Sequence, residues 1–302
     1  MRRLDVLGIG ENSMDDVYRL PSFPQPETAT SKMRVNSRAR LPGGQVATAM
    51  RACAAWGLRT GYIGVFGDDD HGRVVRTALD NAGIDLAAAP VRHGANRHAA
   101  ILVDERTGDR IVLWDREPAM TLQIDDIDCE LVSSARLVHV DDTDEGASLL
   151  AARLARQAGA IVTSDIEHIH PATSDLVSAV TVAIFAAHVP QALTGHTDVE
   201  AALRALRNRH QGMLCVTRGE RGALLLVGDT LYEEPAFPVA AVDTTGAGDV
   251  FRAGFIYALL RDEAPDRLLR WANAAAALAC TRPGAMDSVP ALDEVRKLVA
   301  SR

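Results

Sequence analysis

Short apolar runs alternate with longer helical patterns along most of the chain. The apolar runs of strand length lie at 6–8, 60–66, 136–140, 160–164, 181–185, 212–217 and 222–227. Patterns with apolar positions three and four residues apart lie at 45–56, 72–82, 147–158, 199–209, 248–260 and 265–280. Strands that alternate with helices form a mainly parallel sheet that helices cover on both faces. The pattern therefore predicts a three-layer α/β/α fold.

Two stretches break this alternation. Residues 15–41 are polar, carry three prolines between positions 21 and 26, and show only weak strand signals. Residues 98–114 are typical of a hairpin, with strands at 99–103 and 110–114 and a turn that contains Gly108. We expect one domain, 1–302, into which these two stretches are inserted as a small β-sheet lid or dimer surface. The alternative is a peripheral hairpin without a role.

Composition and charge narrow the class of protein. The chain has 302 residues, of which 47% are hydrophobic and 24% charged, as in an ordinary globular enzyme. The net charge of −8 argues against nucleic-acid binding, which needs a basic surface. No apolar run approaches the ~20 residues that span a bilayer, and the first residues lack a signal-peptide pattern. The four cysteines form no CxxC pair, so we expect neither a zinc nor a redox motif, and a cytoplasmic location.

The residues most indicative of chemistry are 243–249, DTTGAGD, directly before an apolar helical pattern. In the loop Gly246, Ala247 and Gly248, the backbone N–H groups can turn to one side, and a helix N-terminus follows, so the loop suits a phosphate. Asp249 could there accept the proton of an incoming hydroxyl. A valine at Gly248 should block close approach of the phosphate and strain any positive φ there. The alternative is a plain turn with Asp249 as helix cap.

This string resembles the C-terminal signature of the PfkB (ribokinase-like) carbohydrate kinases. Other landmarks follow in the family's order over nearly the whole chain: LGIGENSMD at 7–15, PGGQVATA at 42–49, GVFGDDDHG at 64–72, VTRGERG at 216–222, ANAAA at 272–276 and RPGA at 282–285. The resemblance implies transfer of the ATP γ-phosphoryl group to a hydroxyl of a sugar or polyol, with Mg²⁺. It makes Asp249 the catalytic base and residues 246–248 the anion hole. Within the family, the chain looks most like the ketohexokinase and sulfo-sugar kinase branches.

The resemblance also implies binding residues, and from the inserted β segments we expect a homodimer through the lid. On the sugar side they are Asp15, Gly43, Gly44, Gln45, Thr48 and Asp141. On the nucleotide side they are Thr217, Gly219, Gly222, Asn273 and Gly284. A monovalent cation, K⁺, would be held near the anion hole by Asp243, Thr245 and Ser288. The alternative for Asp243 is that it only orders the turn.

The chain departs from the family pattern at two places. Gln45 and Thr48 stand where many members carry Asn or Lys and a second Asn, which leaves the identity of the sugar open. Ala186 and Val189 stand where many members carry the Asn and Glu of an Asn-x-x-Glu motif. We therefore expect Mg²⁺ to be held through phosphate oxygens and water. Alternative functions are a non-catalytic binding relative of the family and a kinase of a nucleoside or vitamin-like alcohol.

The charges expected around the sugar predict the kind of acceptor. Six carboxylates are expected on that side: Asp15, Asp141, Asp142, Asp144, Glu145 and Asp249. Arg97 and Arg116 are the only nearby cations that the pattern suggests, and the sulfo-sugar branch has an Arg where this chain has Asp142. A close like-charge contact in a partly desolvated pocket costs on the order of 1–4 kcal/mol. We therefore expect a neutral acceptor, with sugar acids, sulfo-sugars and sugar phosphates as poor substrates.

Overall fold

The computed structural model describes residues 4–302. The strands of this range are β1 (Val6–Ile9), β2 (Ser13–Leu20), β3 (Ser37–Gly43), β4 (Thr60–Ile63), β5 (Phe66–Gly67), β6 (Val91–Arg92), β7 (His98–Asp104), β8 (Arg110–Asp115), β9 (Leu137–Asp141), β10 (Ile161–Asp165), β11 (Val182–Phe185), β12 (Met213–Thr217), β13 (Ala223–Val227) and β14 (Thr230–Glu234). The α-helices are α1 (Gln45–Ala55), α2 (Asp70–Asn81), α3 (Cys129–Ser134), α4 (Glu145–Gln157), α5 (Thr173–Ala179), α6 (Val189–Thr194), α7 (Val199–Arg207), α8 (Ala247–Leu259), α9 (Pro265–Ala279) and α10 (Leu292–Val299).

The main sheet has eight strands in the order β14-β13-β12-β11-β10-β9-β1-β4. The six strands from β12 to β4 are parallel, and β13 and β14 are added as antiparallel hairpins. Successive residues of a strand enter opposite cores, as in β11, where Val182 and Ile184 face one core and Ala183 and Phe185 the other. Helices α1, α2, α8, α9 and α10 supply the first core, and α3 to α7 the second. The predicted three-layer α/β/α fold is confirmed.

A second sheet lies apart from the first and is called the small sheet below. Its strand order is β3-β2-β7-β8, with β2 and β7 parallel and the other pairs antiparallel. Val17, Ala99, Ile101 and Val103 form its buried face. The hairpin predicted at 98–114 is confirmed. The weak strand signals after residue 15 belong to a full eight-residue strand, β2.

The other differences from the sequence prediction are local. The apolar run 60–66 is two short strands, because β5 leaves the main sheet and pairs with β6. Helices α3, α5, α6 and α10 and strand β14 were not predicted. In the part of the chain that the structure describes, no helix has both the length and the apolarity of a membrane span.

Candidate active site

Three carboxyl ends of parallel strands and one helix N-terminus meet at one edge of the main sheet. Asp141 ends β9 and lies directly beneath Gly10, which follows β1. Asp165 ends β10 and forms an ion pair with Arg252 of α8. The small sheet covers this edge, since Arg110 of β8 donates to Thr244 Oγ1 at 2.9 Å. Ligands of open α/β sheets bind at this edge.

Asp249 and the glycine loop begin helix α8 at this edge. Gly246 adopts a left-handed φ of 75° and is the N-cap residue, so the N–H groups of the first turn point out of the helix. Asp249 lies in that first turn and is buried. Burial raises its pKa well above the usual range, and the nearby Arg252 guanidinium opposes this rise. A buried carboxylate beside the N–H donors of a helix N-terminus can take a proton while the donors stabilise a phosphoryl group; in this structure the N–H of Ala247 donates at 3.3 Å to the carbonyl of Thr244.

The requirement for glycine in this loop differs from the sequence expectation. Gly248 has no positive φ, so the expected backbone strain there is wrong. The left-handed position is Gly246, where an added Cβ would lie 2.7 Å from the backbone Cα of Ala285. At Gly248 an added Cβ would lie 2.7 Å from one guanidinium nitrogen of Arg252. The helix therefore leaves room at Gly248 for a side chain that reaches back under the loop.

The glycine positions predict two different variant phenotypes. Gly246→Ala should lower the free energy of unfolding by on the order of 1–3 kcal/mol, because a left-handed non-glycine residue is strained and the Ala285 backbone must move. Gly248→Ala should change stability little, because alanine favours a helix, yet should reduce turnover by displacing Arg252. Urea unfolding and kcat of both variants check this. A Gly248→Ala variant with the larger loss of stability would contradict the assignment.

Arg252 is the site residue that the sequence analysis missed. Its side chain is buried, forms an ion pair with the buried Asp165, and lies 3.8 Å from Glu167. It is the one charged residue between Val250 and Leu259 on an otherwise apolar helix, which was the available signal. The guanidinium lowers the pKa of nearby carboxyls, Asp249 among them. It thus places a fixed positive charge directly under the glycine loop.

The sugar-side carboxylate of Asp15 is held between two close neighbours. Ser13 donates a hydrogen bond to it, and a Cβ at Gly43 would overlap it, so β3 must carry glycine there. Burial raises the pKa of Asp15 to about 6, and the hydrogen bond from Ser13 opposes this. The charge of Arg110 also acts to lower the pKa of both Asp15 and Asp249, against the larger effect of burial.

Gln45 and Thr48 lie in the first turn of α1, behind Gly44. Gly44 has a φ of 97°, and an added Cβ would overlap the backbone of Asn12. The side-chain Nε2 of Gln45 and Oγ1 of Thr48 are buried and have no hydrogen-bond partner among residues 4–302. Buried polar atoms are seldom left unpaired in folded proteins. Both atoms are therefore free to bind a ligand hydroxyl.

Asp15 predicts an unusual pH dependence of stability. Its folded pKa of about 6 lies above the ordinary 3.8, so the folded state binds more protons than the unfolded state, and stability falls as the pH rises through 6. Asp15→Asn should therefore gain up to about 3 kcal/mol over the wild type between about pH 4 and pH 7.5, the equivalent of roughly two pKa units. Acceptor KM should rise in the same variant. Urea unfolding at both pH values measures the gain.

The adjacent Asp16 is the matched control for that measurement. Asp16 is hydrogen-bonded to Arg40, which lowers its pKa to about 2. Its contribution is present above the ordinary pKa of 3.8 and is lost only below about pH 4, so Asp16→Asn should be less stable than wild type by nearly the same amount at both pH values. If Asp15→Asn shows no larger change between the two pH values than Asp16→Asn, the proposed environment of Asp15 is wrong.

The acidic run after β9 is held by hydrogen bonds and ion pairs, and Asp144 and Glu145 also line an open cleft together with Arg116 and His170. Asp141 is fully buried and accepts from the backbone N–H groups of Glu11 at 2.7 Å and Thr143 at 3.1 Å. Asp144 is paired with Arg116 at 2.9 Å and accepts from a backbone N–H. Folding therefore uses these carboxylates to fix loops, and the expectation that the run presents its charges to the sugar stays a prediction. A contact of Asp141 with substrate stays a prediction.

Two other acidic residues of this run hold the loop that follows β10. Asp142 Oδ2 accepts from the backbone N–H groups of Glu167 at 2.8 Å and His168 at 2.6 Å. Glu145 accepts from the N–H of Ala172 at 2.9 Å. Both residues therefore order the loop that follows β10.

The two arginines that were candidates for an anionic substrate are already paired. Arg97 forms a buried ion pair with Glu11, and burial lowers the pKa of Arg97 to about 10. Arg116 is bound to Asp144. Both side chains are therefore held by internal carboxylates, which offset part of their charge, although both also line a small cavity. Arg110 is exposed instead and reaches the glycine loop.

The predicted nucleotide-side residues lie along β12, β13 and α9. Thr217 ends β12, and Gly219 and Gly222 have positive φ values of 58° and 81° in the turn that follows. Asn273 is buried in α9, and its Nδ2 donates to the carbonyl of Glu234 at 2.8 Å. Asn273 therefore fixes the end of β14. A role for any of the four in adenine binding stays a prediction.

The predicted cation ligands lie around Asp243, beside the glycine loop. Asp243 accepts from the N–H of Thr245 at 2.9 Å and of Gly284 at 3.0 Å, and Arg19 lies 3.5 Å away. The Ser288 hydroxyl donates to a backbone carbonyl. These contacts compensate the charge of Asp243 without a cation, and they favour the alternative that it orders the turn.

Comparison with known proteins agrees with this geometry. The chain is 30% identical to the ATP-dependent ribose-1-phosphate kinase of Halopiger xanaduensis, over 98% of both chains. It is 28% identical to the nucleoside kinase of Methanothermobacter thermautotrophicus (97% of this chain, 94% of that one) and 27% identical to fructokinase-1 of Zea mays (86% and 88%). The ribokinase structure from Thermotoga maritima superposes with a TM-score of 0.83 at 25% identity, over 99% of this chain and 100% of that one.

The family follows from a match along nearly the whole chain. The model of the pfkB family of carbohydrate kinases matches residues 4–292. This range contains β1, the small sheet, the glycine loop and helix α8. The finer resemblance to the ketohexokinase and sulfo-sugar kinase branches stays a prediction. The chain belongs to the pfkB family of carbohydrate kinases.

Proposed function

We propose that the protein transfers the γ-phosphoryl group of ATP to a hydroxyl of a small neutral sugar or polyol. The observation that carries this proposal is the juxtaposition of the buried Asp249 carboxylate with the first-turn N–H groups of α8, next to Gly246. Phosphoryl transfer depends on positioning and on stabilisation of charge, and both are built into this loop. A cytoplasmic location, where ATP is available, belongs to the same proposal.

Each residue has a distinct task in the proposed reaction. Asp15 accepts hydrogen bonds from two neighbouring hydroxyls of the acceptor, and Gln45 and Thr48 bond the others. Asp249 takes the proton of the attacking hydroxyl. The N–H groups of residues 246–248 bind the transferring phosphoryl oxygens, with Arg252 below them and Arg110 above. The small sheet excludes water from this space and so limits hydrolysis of ATP.

ATP and Mg²⁺ are part of the proposal. Thr217, Gly219, Gly222, Asn273 and Gly284 lie on the side proposed for the nucleotide. Mg²⁺ supplies charge neutralisation on the phosphates when it is bound with the nucleotide. Glu167 is partly exposed, with 39% of its side chain accessible, and its carboxylate is suited to hold a water of such an ion. Dependence on K⁺ through Asp243, Thr245 and Ser288 stays a prediction.

The proposal that the acceptor is neutral depends on the ion pairs that Arg97 and Arg116 form within the protein. Arg97 and Arg116 are engaged by Glu11 and Asp144, which supports an acceptor without an anionic group, whereas Arg110 reaches the glycine loop. Bidentate arginine contacts are the usual means of binding a substrate phosphate. The ribose-1-phosphate kinase relative favours one alternative acceptor, a sugar phosphate, and Arg110 is the residue that would bind it.

A comparison of neutral acceptors with their anionic counterparts tests whether the acceptor of this enzyme is neutral. We expect kcat/KM to be higher for ribose, fructose or a nucleoside than for the corresponding phosphates and sugar acids. Arg110→Gln should lower kcat for neutral acceptors by weakening the hold on the γ-phosphoryl group. If the wild type prefers ribose-1-phosphate and Arg110→Gln abolishes this preference, the acceptor is a sugar phosphate and the proposal of a neutral acceptor is wrong. If the protein binds sugars but releases no ADP, it is a non-catalytic relative and the proposed kinase activity is wrong.

We also propose one kinase domain, 1–302, with the lid segments 15–41 and 98–114 inserted, and a homodimer through this lid. Support comes from the edge strand β8, which exposes Leu113 by 57% and Trp114 by 60%, together with Ile111 and Val112. An exposed apolar edge strand has unpaired backbone N–H and C=O groups that can pair with a strand of another chain. A second copy of the chain would cover both strand edge and side chains.

Light scattering after size-exclusion chromatography tests the dimer. The wild type should elute as a dimer, and Ile111→Asp/Leu113→Asp as a folded monomer. Val74→Asp, at a half-exposed position of α2, is the control and should leave the dimer intact. A wild-type monomer at micromolar concentration would exclude the dimer and leave the proposed chemistry untouched.

A further inference from the structure

A group of two histidines and one aspartate lies at the loops after β9 and β10 and has no task in the reaction above. Asp142 follows β9, and His168 and His170 lie in the loop after β10. One potential ligand atom from each of the three residues lies within 4.8 Å of those from the other two. Two imidazoles with one carboxylate is a donor set for transition metals of the zinc class.

The carboxylate of Asp142 gives independent evidence that a cation binds here, because one of its oxygens is buried without a hydrogen-bond partner among the described residues. The residue is only 1% exposed. Its Oδ2 accepts two backbone N–H groups, whereas its Oδ1 is buried without a hydrogen-bond partner in the described chain. That same Oδ1 is directed toward His168, with 3.8 Å between it and Nδ1. An unpaired buried carboxylate oxygen is costly, and a cation at this point would satisfy it.

The loop that carries the histidines is held in place before any ion binds. Asp142 binds the N–H groups of Glu167 and His168, Glu145 binds the N–H of Ala172, and Thr173 Oγ1 accepts from the N–H of His170 at 2.8 Å. Only the side chains remain to be adjusted. Ligand atoms in a tetrahedral zinc site lie about 3.3 Å apart, given bonds of about 2.0 Å, so shifts of about 1 Å complete the site. His168 is exposed and free to make them.

We propose that Asp142, His168 and His170 bind one transition-metal ion of the zinc class, at a site separate from the Mg²⁺ that accompanies the nucleotide. Three protein ligands leave a further position for water. The ion would fix the loop that carries Glu167, whose carboxylate lies 3.8 Å from Arg252. Mg²⁺ should not compete, because it prefers oxygen ligands in octahedral geometry.

Zinc binding to the untagged full-length chain tests the proposal without any measurement of kinase activity. In competition with a chromophoric chelator and without nucleotide, the wild type should bind one equivalent of Zn²⁺. His168→Ala/His170→Ala should weaken this binding by on the order of 100-fold or more, since loss of a mere supporting partner of a ligand already costs 10–100-fold. The control His93→Ala/His196→Ala, at two exposed positions, should bind like wild type.

Two further readouts keep the test decisive. Zn²⁺ should raise the unfolding temperature of the wild type and of the control but not that of the His168/His170 variant, provided all three fold alike without metal. Asp142→Asn retains one oxygen for the two N–H groups but should lose Zn²⁺ affinity. Binding that is equal in the His168/His170 and control variants, or no stoichiometric binding by the wild type, would overturn the site.

Discussion

Replacement of Asp249 by asparagine is expected to lower kcat by ~10²–10⁴-fold, the usual contribution of a general base. Asparagine keeps the shape of the side chain but cannot accept the proton of the attacking hydroxyl. The affinities for ATP and acceptor should change little, because neither depends on the proton transfer. Steady-state kinetics of ADP release, together with calorimetric binding of the acceptor, measure the two effects separately.

Asp266 offers a matched control for the effect of a helix cap. Asp266 lies in the first turn of α9, as Asp249 does in α8, but is exposed. Asp266→Asn should therefore lose only the small stabilisation of a carboxylate near a helix N-terminus, on the order of 0.3–1 kcal/mol, with a normal rate. If Asp249→Asn behaves like Asp266→Asn, Asp249 is a cap and the proposed catalytic base is wrong.

Arg252→Met is expected to destabilise the protein by about 3–5 kcal/mol, because it leaves the buried Asp165 carboxylate without its partner. The double variant Asp165→Asn/Arg252→Met should recover most of this loss, since neither charge remains. Urea unfolding of the two single variants and the double variant gives the coupling between the residues. Additive effects would contradict the ion pair.

Arg252→Met also tests whether Arg252 affects catalysis, through the pKa of Asp249, in addition to stabilising the fold. Arg252 lowers the pKa of Asp249, which burial raises. Its removal should therefore move the acidic limb of the kcat profile to higher pH, because more alkaline conditions are needed to ionise the base. Loss of stability with an unmoved acidic limb would assign Arg252 a structural role alone.

The sequence was sufficient to predict the glycine loop and helix α8 because both follow from local rules. Two glycines before an apolar helical pattern define a turn and a helix start, and the structure begins α8 at Ala247, within one residue of the predicted boundary. The conformation of each glycine was not predictable. The left-handed residue is Gly246, where Ala285 approaches from a distant segment of the chain.

Arg252 could not be assigned from sequence because its partner is remote. Asp165 comes from a different strand, and only the fold brings the two together. The loop contacts of the acidic run after β9 were missed for a related reason. A carboxylate that binds a loop N–H, such as Asp142, and one that accepts from a neighbouring hydroxyl in the small sheet, such as Asp15, look alike in sequence. Their partners decide their roles.

Strand β2 illustrates how tertiary packing overrides a weak local signal. Its sequence is polar at Asp15, Asp16 and Arg19, yet it pairs with both β3 and β7 and lies in the centre of the small sheet. Asp16 is compensated by Arg40. A polar strand of this kind is stable because neighbouring strands satisfy its backbone and its charges, and no periodicity within the strand predicts that.

Direct detection of a phosphorylated acceptor tests the central claim. The protein would be incubated with ATP, Mg²⁺ and a panel of neutral sugars, polyols and nucleosides together with sugar phosphates and sugar acids, and the products would be analysed by mass spectrometry and ³¹P NMR. We expect one or more acceptors to gain a single phosphoryl group with stoichiometric release of ADP, and Asp249→Asn to form this product ~10²–10⁴-fold more slowly. Product formation by Asp249→Asn at the wild-type rate, or no phosphorylated product from any acceptor, charged acceptors included, would contradict the account.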